Sequence, residues 1–222
     1  MENNFCEEFD KSEFRKGFVL VAVLVILSSL PVSGTNNIFL IYNYNALAYL
    51  VMFILLIILY YRQIFGAIKQ FHMNGQEIGF LTGLWFGAVA LQVVIAILLD
   101  SLDIVNYNRV GLEEDATKGV YVLSMLATVL CGPMVEEFIY RFWIYRMVRK
   151  INVLLAGFVC VCLFALSHVW SSVWIYHDFR LILNALIYVP IGIATVIAYE
   201  KNKNILCALL LHVALNAFAF FH

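Results

Sequence analysis

Glu136 and Glu137 stand side by side in an apolar stretch, and Arg141 follows four residues later. Two further apolar stretches carry Phe164-Ala-Leu-Ser-His168 and His212-Val-Ala-Leu-Asn216. A carboxylate and an imidazole can draw a proton from water, and an imidazole and an amide can donate hydrogen bonds to an oxyanion. Ionisable side chains at membrane depth are costly, so each of these marks a candidate functional position. On a helix Glu137 and Arg141 are i,i+4 partners, whereas Glu136 is turned about 100° away. The carboxylates therefore take different tasks: Arg141 neutralises and orients Glu137, and Glu136 is left to face a cavity. Two adjacent unpaired anions in a low dielectric would repel, and one would stay protonated. His212 and Asn216 also share one helix face and must find polar partners there. Taken singly, His168 reads equally as an interfacial side chain, and His212 with Asn216 as an interhelical hydrogen-bonding pair.

The elements that must position these groups follow from composition. Of 222 residues, 64% are hydrophobic and 13% charged, with a mean hydropathy of +0.89. An average soluble domain is roughly half apolar and about a quarter charged. The chain therefore reads as an all-α, polytopic transmembrane helix bundle. Apolar runs of about 20 residues point to helices, not to the alternating ten-residue segments of a barrel. About seven spans are expected, near residues 17–30, 46–61, 78–99, 119–147, 153–168, 181–199 and 205–221. Residues 1–16 form a polar N-terminal segment, and residues 17–222 a single membrane-embedded domain whose catalytic core covers about 119–222. The acidic leader argues against a cleaved signal peptide, which opens with a basic segment. Residues 62–77 form a polar, amphipathic connector expected on the membrane surface. Gly79, Gly83 and Gly87 make a small-residue stripe, read as ordinary helix packing. Pro133 is expected to bend the fourth span just before Glu136. Cys131, Cys160, Cys162 and Cys207 have no metal spacing and read as small packing residues. Tyr42, Tyr44 and Tyr49, like Trp170, Trp174 and Tyr176, read as interfacial aromatics.

Lysine and arginine concentrate in alternate connections, at 11–16, 62–69, 146–150 and 201–203. By the positive-inside rule this sets the N-terminus in the cytoplasm. At the helical rise, Glu136 lies about 15 Å from Arg146 and His212 about 14 Å from Lys203, but His168 about 27 Å from Lys150. The histidine of the fifth span comes out too deep unless that helix starts late, tilts or bends.

The set Glu-Glu-x-x-x-Arg, Phe-x-x-x-His and His-x-x-x-Asn resembles the CPBP family of intramembrane proteases. That family includes type II CAAX prenyl endopeptidases and bacterial Abi members linked to bacteriocin self-immunity. The motifs run from about Pro133 to Asn216. The resemblance implies an intramembrane endopeptidase cutting a membrane-associated peptide or protein substrate. Glu136 would activate water with His168 helping to hold it, His212 and Asn216 would form the oxyanion site, and Glu137 with Arg141 would shape the helix. It also implies a multi-pass protein of a bacterial plasma membrane. No cofactor is firmly implied. A zinc is left open, with Glu136, His168 and His212 as its ligand set, although the compact His-Glu-x-x-His pattern is missing. Metal-free activation of water is the preferred reading.

Two other classes compete: a non-catalytic membrane scaffold or immunity protein of the same fold, and a proton-coupled transporter using the Glu pair. The net charge of -1 gives no footprint for nucleic acid. The expected partners are the lipid bilayer and a membrane-associated substrate. The pattern says nothing of oligomeric state.

Overall fold

The computed structural model of the protein describes residues 11–29, 38–107, 109–111 and 121–221. The first ten residues with Cys6, the Pro31 stop, the acidic stretch 113–118, the start of the fourth span and His222 lie outside the described residues.

Every long described element is a helix, as 64% hydrophobic composition without alternation requires. They are α1 (Lys11–Ser29), α2 (Ile38–Gln70), α3 (Gly75–Asp100), α4 (residues 121–149), α5 (Val153–Ser167), the short α6 (Trp170–Tyr176), α7 (Ala185–Asn202) and α8 (Ile205–Phe221). A 3-10 turn, Phe179–Asn184, leads into α7. Among the described residues, five stretches are long and apolar enough to cross a membrane: Tyr44–Gln70, Gly75–Asp100, Val122–Arg149, Val153–Tyr176 and Phe179–Asn202. α8 is equally apolar but shorter, and α1 is a helix whose first turns are charged. The chain is an integral membrane protein with an all-α helical bundle fold. Its outer surface is as apolar as its core: Phe86, Leu91, Val94, Ile97 and Leu98 of α3 are all exposed, which only lipid makes tolerable.

The connector after the second span is helical: α2 kinks at Tyr60, whose φ of -121° and ψ of 18° are not helical, and a second helical segment runs on to Gln70. Ile64, Ala67 and Phe71 pack against the core while Phe65 and Ile68 face outward; its amphipathic pattern extends a helix already formed. Asn74 then starts α3 through a reciprocal capping box: its side chain accepts from Glu77 N at 2.9 Å, and the Glu77 carboxylate accepts from Asn74 N at 2.8 Å. Among the described residues, the glycine stripe of α3 meets no packing partner: nothing lies within 4 Å of where a Cβ would stand on Gly79, Gly83 or Gly87.

Charge gathers at one end of the bundle. Arg146 of α4 pairs with Glu13 of α1 at 3.3 Å, and Arg149 with Glu200 of α7 at 2.7 Å. Lys203, in a left-handed conformation, closes α7 and joins Glu200 as well. Asn204 in the turn to α8 donates to the Ala67 carbonyl of α2 at 2.9 Å. α1 lies close against α4: a Cβ on Gly17 would run into the Trp143 indole. At the opposite end, Asn184 donates to the Val105 carbonyl at 2.8 Å. Cys131, Cys160 and Cys207 are free and buried.

Candidate active site

α4 carries the Glu pair and is not a uniform helix. It is α-helical over Tyr121–Leu126, π-helical over Ala127–Cys131, α-helical over Gly132–Glu137, π-helical again over Phe138–Tyr145, and α-helical over Arg146–Arg149. Such widened turns favour functional sites because they re-aim side chains. Pro133 explains the first one. Gly132 N–H bonds the Ala127 carbonyl five residues back, and in that register the next donor would serve Thr128. Pro133 has no N–H to give. The Asn216 amide of α8 supplies the missing donor, at 3.0 Å from the Thr128 carbonyl. The proline is thus absorbed in a π turn that another helix completes.

Downstream, the two carboxylates separate as their 100° offset requires. Glu137 points into the bundle and is fully buried with Arg141, whose Nη1 lies 3.2 Å from Glu137 Oε1. Arg141 Nη2 reaches α7, donating to the Thr195 hydroxyl and, at 3.3 Å, to the Gly192 carbonyl. Gly192 lets α5 and α7 approach: a Cβ there would stand 3.3 Å from Val161 and 3.4 Å from Phe164. The guanidinium also lies over the Phe164 ring at 4.6 Å. Phe164 in turn meets His168 at 4.6 Å and His212 at 5.5 Å between ring centres. The phenylalanine of the second motif is therefore the packing hub of the site.

The His212 Nδ1 lies 2.8 Å from Glu137 Oε1, so Glu137 serves both Arg141 and an imidazole on α8. Pairing with Arg141 alone, as the spacing suggests, describes half of its contacts. His212 Nε2 then faces Glu136 Oε2 at 3.7 Å. From α5, His168 presents its own Nε2 to the same Oε2 at 3.8 Å, with Nδ1 2.8 Å from the Phe164 carbonyl and the ring stacked on Tyr188 at 4.1 Å. The depth misfit of His168 is reduced, not by a late start, since α5 begins at Val153 as expected, but because the imidazole turns back over the preceding turn towards the Phe164 carbonyl.

Protonation follows from the partners. A carbonyl only accepts, so His168 Nδ1 carries hydrogen and its Nε2 is a lone pair when the ring is neutral. The Glu137 carboxylate, paired with Arg141, likewise accepts from His212 Nδ1–H. The 3.7 and 3.8 Å separations are too long for direct hydrogen bonds and suit one small bridging molecule. Glu136 and His168 keep 12% and 20% of their side-chain exposure, while Glu137, Arg141 and His212 are sealed at 0%, 0% and 1%. The open side of the cluster is therefore at Glu136 and His168.

Glu136, Glu137, Arg141, His168 and His212 thus meet in one cluster, with Asn216 one turn further along α8. Tyr49 and Thr195 also belong to this constellation and were not singled out from sequence. Tyr49 is not an interfacial aromatic: its hydroxyl lies 3.4 Å from Glu136 Oε1.

A family model described as type II CAAX prenyl endopeptidase Rce1-like matches residues 118–218, the stretch that holds α4 to α8. The UPF0177 protein YbdJ of Lactococcus lactis subsp. lactis is 29% identical over 116 residues, covering 52% of this chain and 42% of that relative. No solved structure matches the chain. Residues 118–218, under half of the chain, are thus similar to the Rce1-like type II CAAX prenyl endopeptidases, in line with the CPBP resemblance of the motifs.

Proposed function

We propose that the protein is an intramembrane endopeptidase that hydrolyses a peptide bond of a membrane-associated substrate through water activated by Glu136. One observation carries this reading: a single carboxylate oxygen, Glu136 Oε2, faces two imidazole Nε2 atoms at 3.7 and 3.8 Å, and each ring is pinned through Nδ1. Water placed there gives one hydrogen to Glu136 and one to the His168 lone pair, leaving its own lone pair free for attack.

The water oxygen bonds to the scissile carbonyl carbon while Glu136 takes its proton. The carbonyl oxygen becomes an anion. His212 can donate from Nε2 only as an imidazolium, since its Nδ1–H is spent on Glu137, and in that form it stabilises the oxyanion. The carbon–nitrogen bond then breaks, and Glu136 returns its proton to the leaving amine. The second amide hydrogen of Asn216 is free of Thr128 and can join His212 at the oxyanion.

Two braced imidazoles and a carboxylate have the chemistry of a zinc ligand set. Among the described residues, however, no group of three His, Cys, Asp or Glu is arranged to hold an ion, and the mechanism above runs through no metal. The charged end of the bundle faces the cytoplasm under the positive-inside rule, which sets Glu136 about 15 Å below that face.

The family description directs the first substrate trial. Purified protein in detergent is offered a quenched fluorescent peptide ending in a farnesylated CAAX sequence, and the same peptide unmodified. Wild-type protein cleaves one of them, and Glu136→Gln loses about 100-fold or more with its melting temperature unchanged. Wild-type rates from Glu136→Gln would remove Glu136 from the chemistry.

A further inference from the structure

The groups assigned so far face only one oxygen of Glu136. The other, Oε1, faces Tyr49 of α2, a helix outside the matched residues 118–218. The Tyr49 hydroxyl lies 3.4 Å from it, a length that catalytic contacts shorten when substrate arrives. Tyr49 is carried on the face of α2 that also bears Met52, Leu56 and Tyr60, each at most 1% exposed. These follow at helical spacing, so Tyr49, itself half-buried, stands on the inward face of the helix. Gly132, one turn before Glu136, borders the pair: a Cβ there would be in ordinary contact with Tyr49 Cε1 at 3.6 Å and Glu136 Oε1 at 3.7 Å, and would crowd the Ala127 carbonyl at 3.0 Å.

A glutamate carboxylate rotates broadly about its last torsion, and its two oxygens exchange with little cost. A donor fixed on one of them removes that freedom. We propose that Tyr49 is a positioning residue for hydrolysis, holding Glu136 Oε1 so that Oε2 is the oxygen presented to water and the two imidazoles. The proposal rests on the reading of Glu136 as the base, and it extends the working site to a helix that the family match does not include.

Tyr49→Phe removes the hydroxyl and keeps the ring. In the peptide cleavage assay, kcat is expected to fall about 10-fold, the worth of one such hydrogen bond, with KM within twofold of wild type. A residue that merely supports the fold would not separate the two constants. A melting cycle in detergent reads the contact without activity: Tyr49→Phe, Glu136→Ala and the double variant should give non-additive shifts. Wild-type kcat from Tyr49→Phe, beside an inactive Glu136→Gln, overturns the role of Tyr49 alone. Additive melting shifts overturn the contact itself. Failure of wild-type protein to cleave either peptide overturns the enzyme reading and this role with it, while the melting cycle still decides the contact.

Discussion

Arg141 and His212 meet on the same oxygen: Glu137 Oε1 lies 3.2 Å from Arg141 Nη1 and 2.8 Å from His212 Nδ1. One fully buried carboxylate therefore joins α4 to α8, and through Arg141 also to Thr195 and Gly192 of α7. Removing the guanidinium would strand this anion against the imidazole. Arg141→Ala is expected to cost about 3–5 kcal/mol, read as a lower melting temperature and less monodisperse protein after detergent extraction. Arg141→Lys keeps the charge but lacks the fork that reaches α4 and α7 together, and should fall between the two. An unchanged melting temperature for Arg141→Ala would mean that Glu137 is held by other means.

The role of His168 separates water chemistry from metal chemistry. In the proposed mechanism His168 Nε2 accepts a hydrogen from water, so prolonged dialysis against EDTA should leave the cleavage rate unchanged. His168→Ala should lower kcat by about 100-fold whether or not zinc is added. Loss of activity on dialysis, with recovery on adding zinc, would instead make Glu136, His168 and His212 metal ligands.

α1 should contribute to stability although it lies outside the matched residues 118–218. It presses Gly17 against Trp143 and pairs Glu13 with Arg146. Gly17→Leu has no space unless the indole moves, and overpacking of this kind costs about 1–3 kcal/mol. The expected result is a lower melting temperature with kcat per folded molecule preserved. A variant as stable as wild type would show that α1 is easily displaced from α4.

Much of the site was legible because i,i+4 spacing fixes which side chains share a helix face. That argument paired Glu137 with Arg141 and turned Glu136 elsewhere, and both are seen. It could not tell which face of one helix meets which face of another. Helices such as α3 and α5 are apolar on all sides, so their patterns name no neighbour. The bond from His212 to Glu137, the reach of Arg141 to Thr195, and the approach of Tyr49 depend on that missing information. Tyr49 had no signal at all, since tyrosines near a helix end read equally well as interfacial. The helical character was legible from hydropathy, but of about seven expected spans five are long and apolar enough to cross among the described residues, with α8 shorter, and the limits were less legible still. α2 kinks at Tyr60 and its amphipathic continuation is helical to Gln70, because a polar face does not stop a helix that still has apolar residues to bury.

Asn216 offers the sharpest separation between catalytic and structural roles. Its amide fills a place that Pro133 leaves empty, donating at 3.0 Å to the Thr128 carbonyl that the π register assigns to residue 133. Asn216→Leu should therefore leave a carbonyl without a donor in the membrane interior, at about 1–3 kcal/mol, and lower the melting temperature. Pro133→Ala restores a backbone N–H at that register. In the double variant the melting temperature should recover, at least in part, because the new N–H takes the Thr128 carbonyl. Activity should not recover with it if the second amide hydrogen of Asn216 serves the oxyanion, since leucine has none to give. Recovery of both would confine Asn216 to bracing the turn. An Asn216→Leu variant that melts like wild type would break the link between the proline and the asparagine.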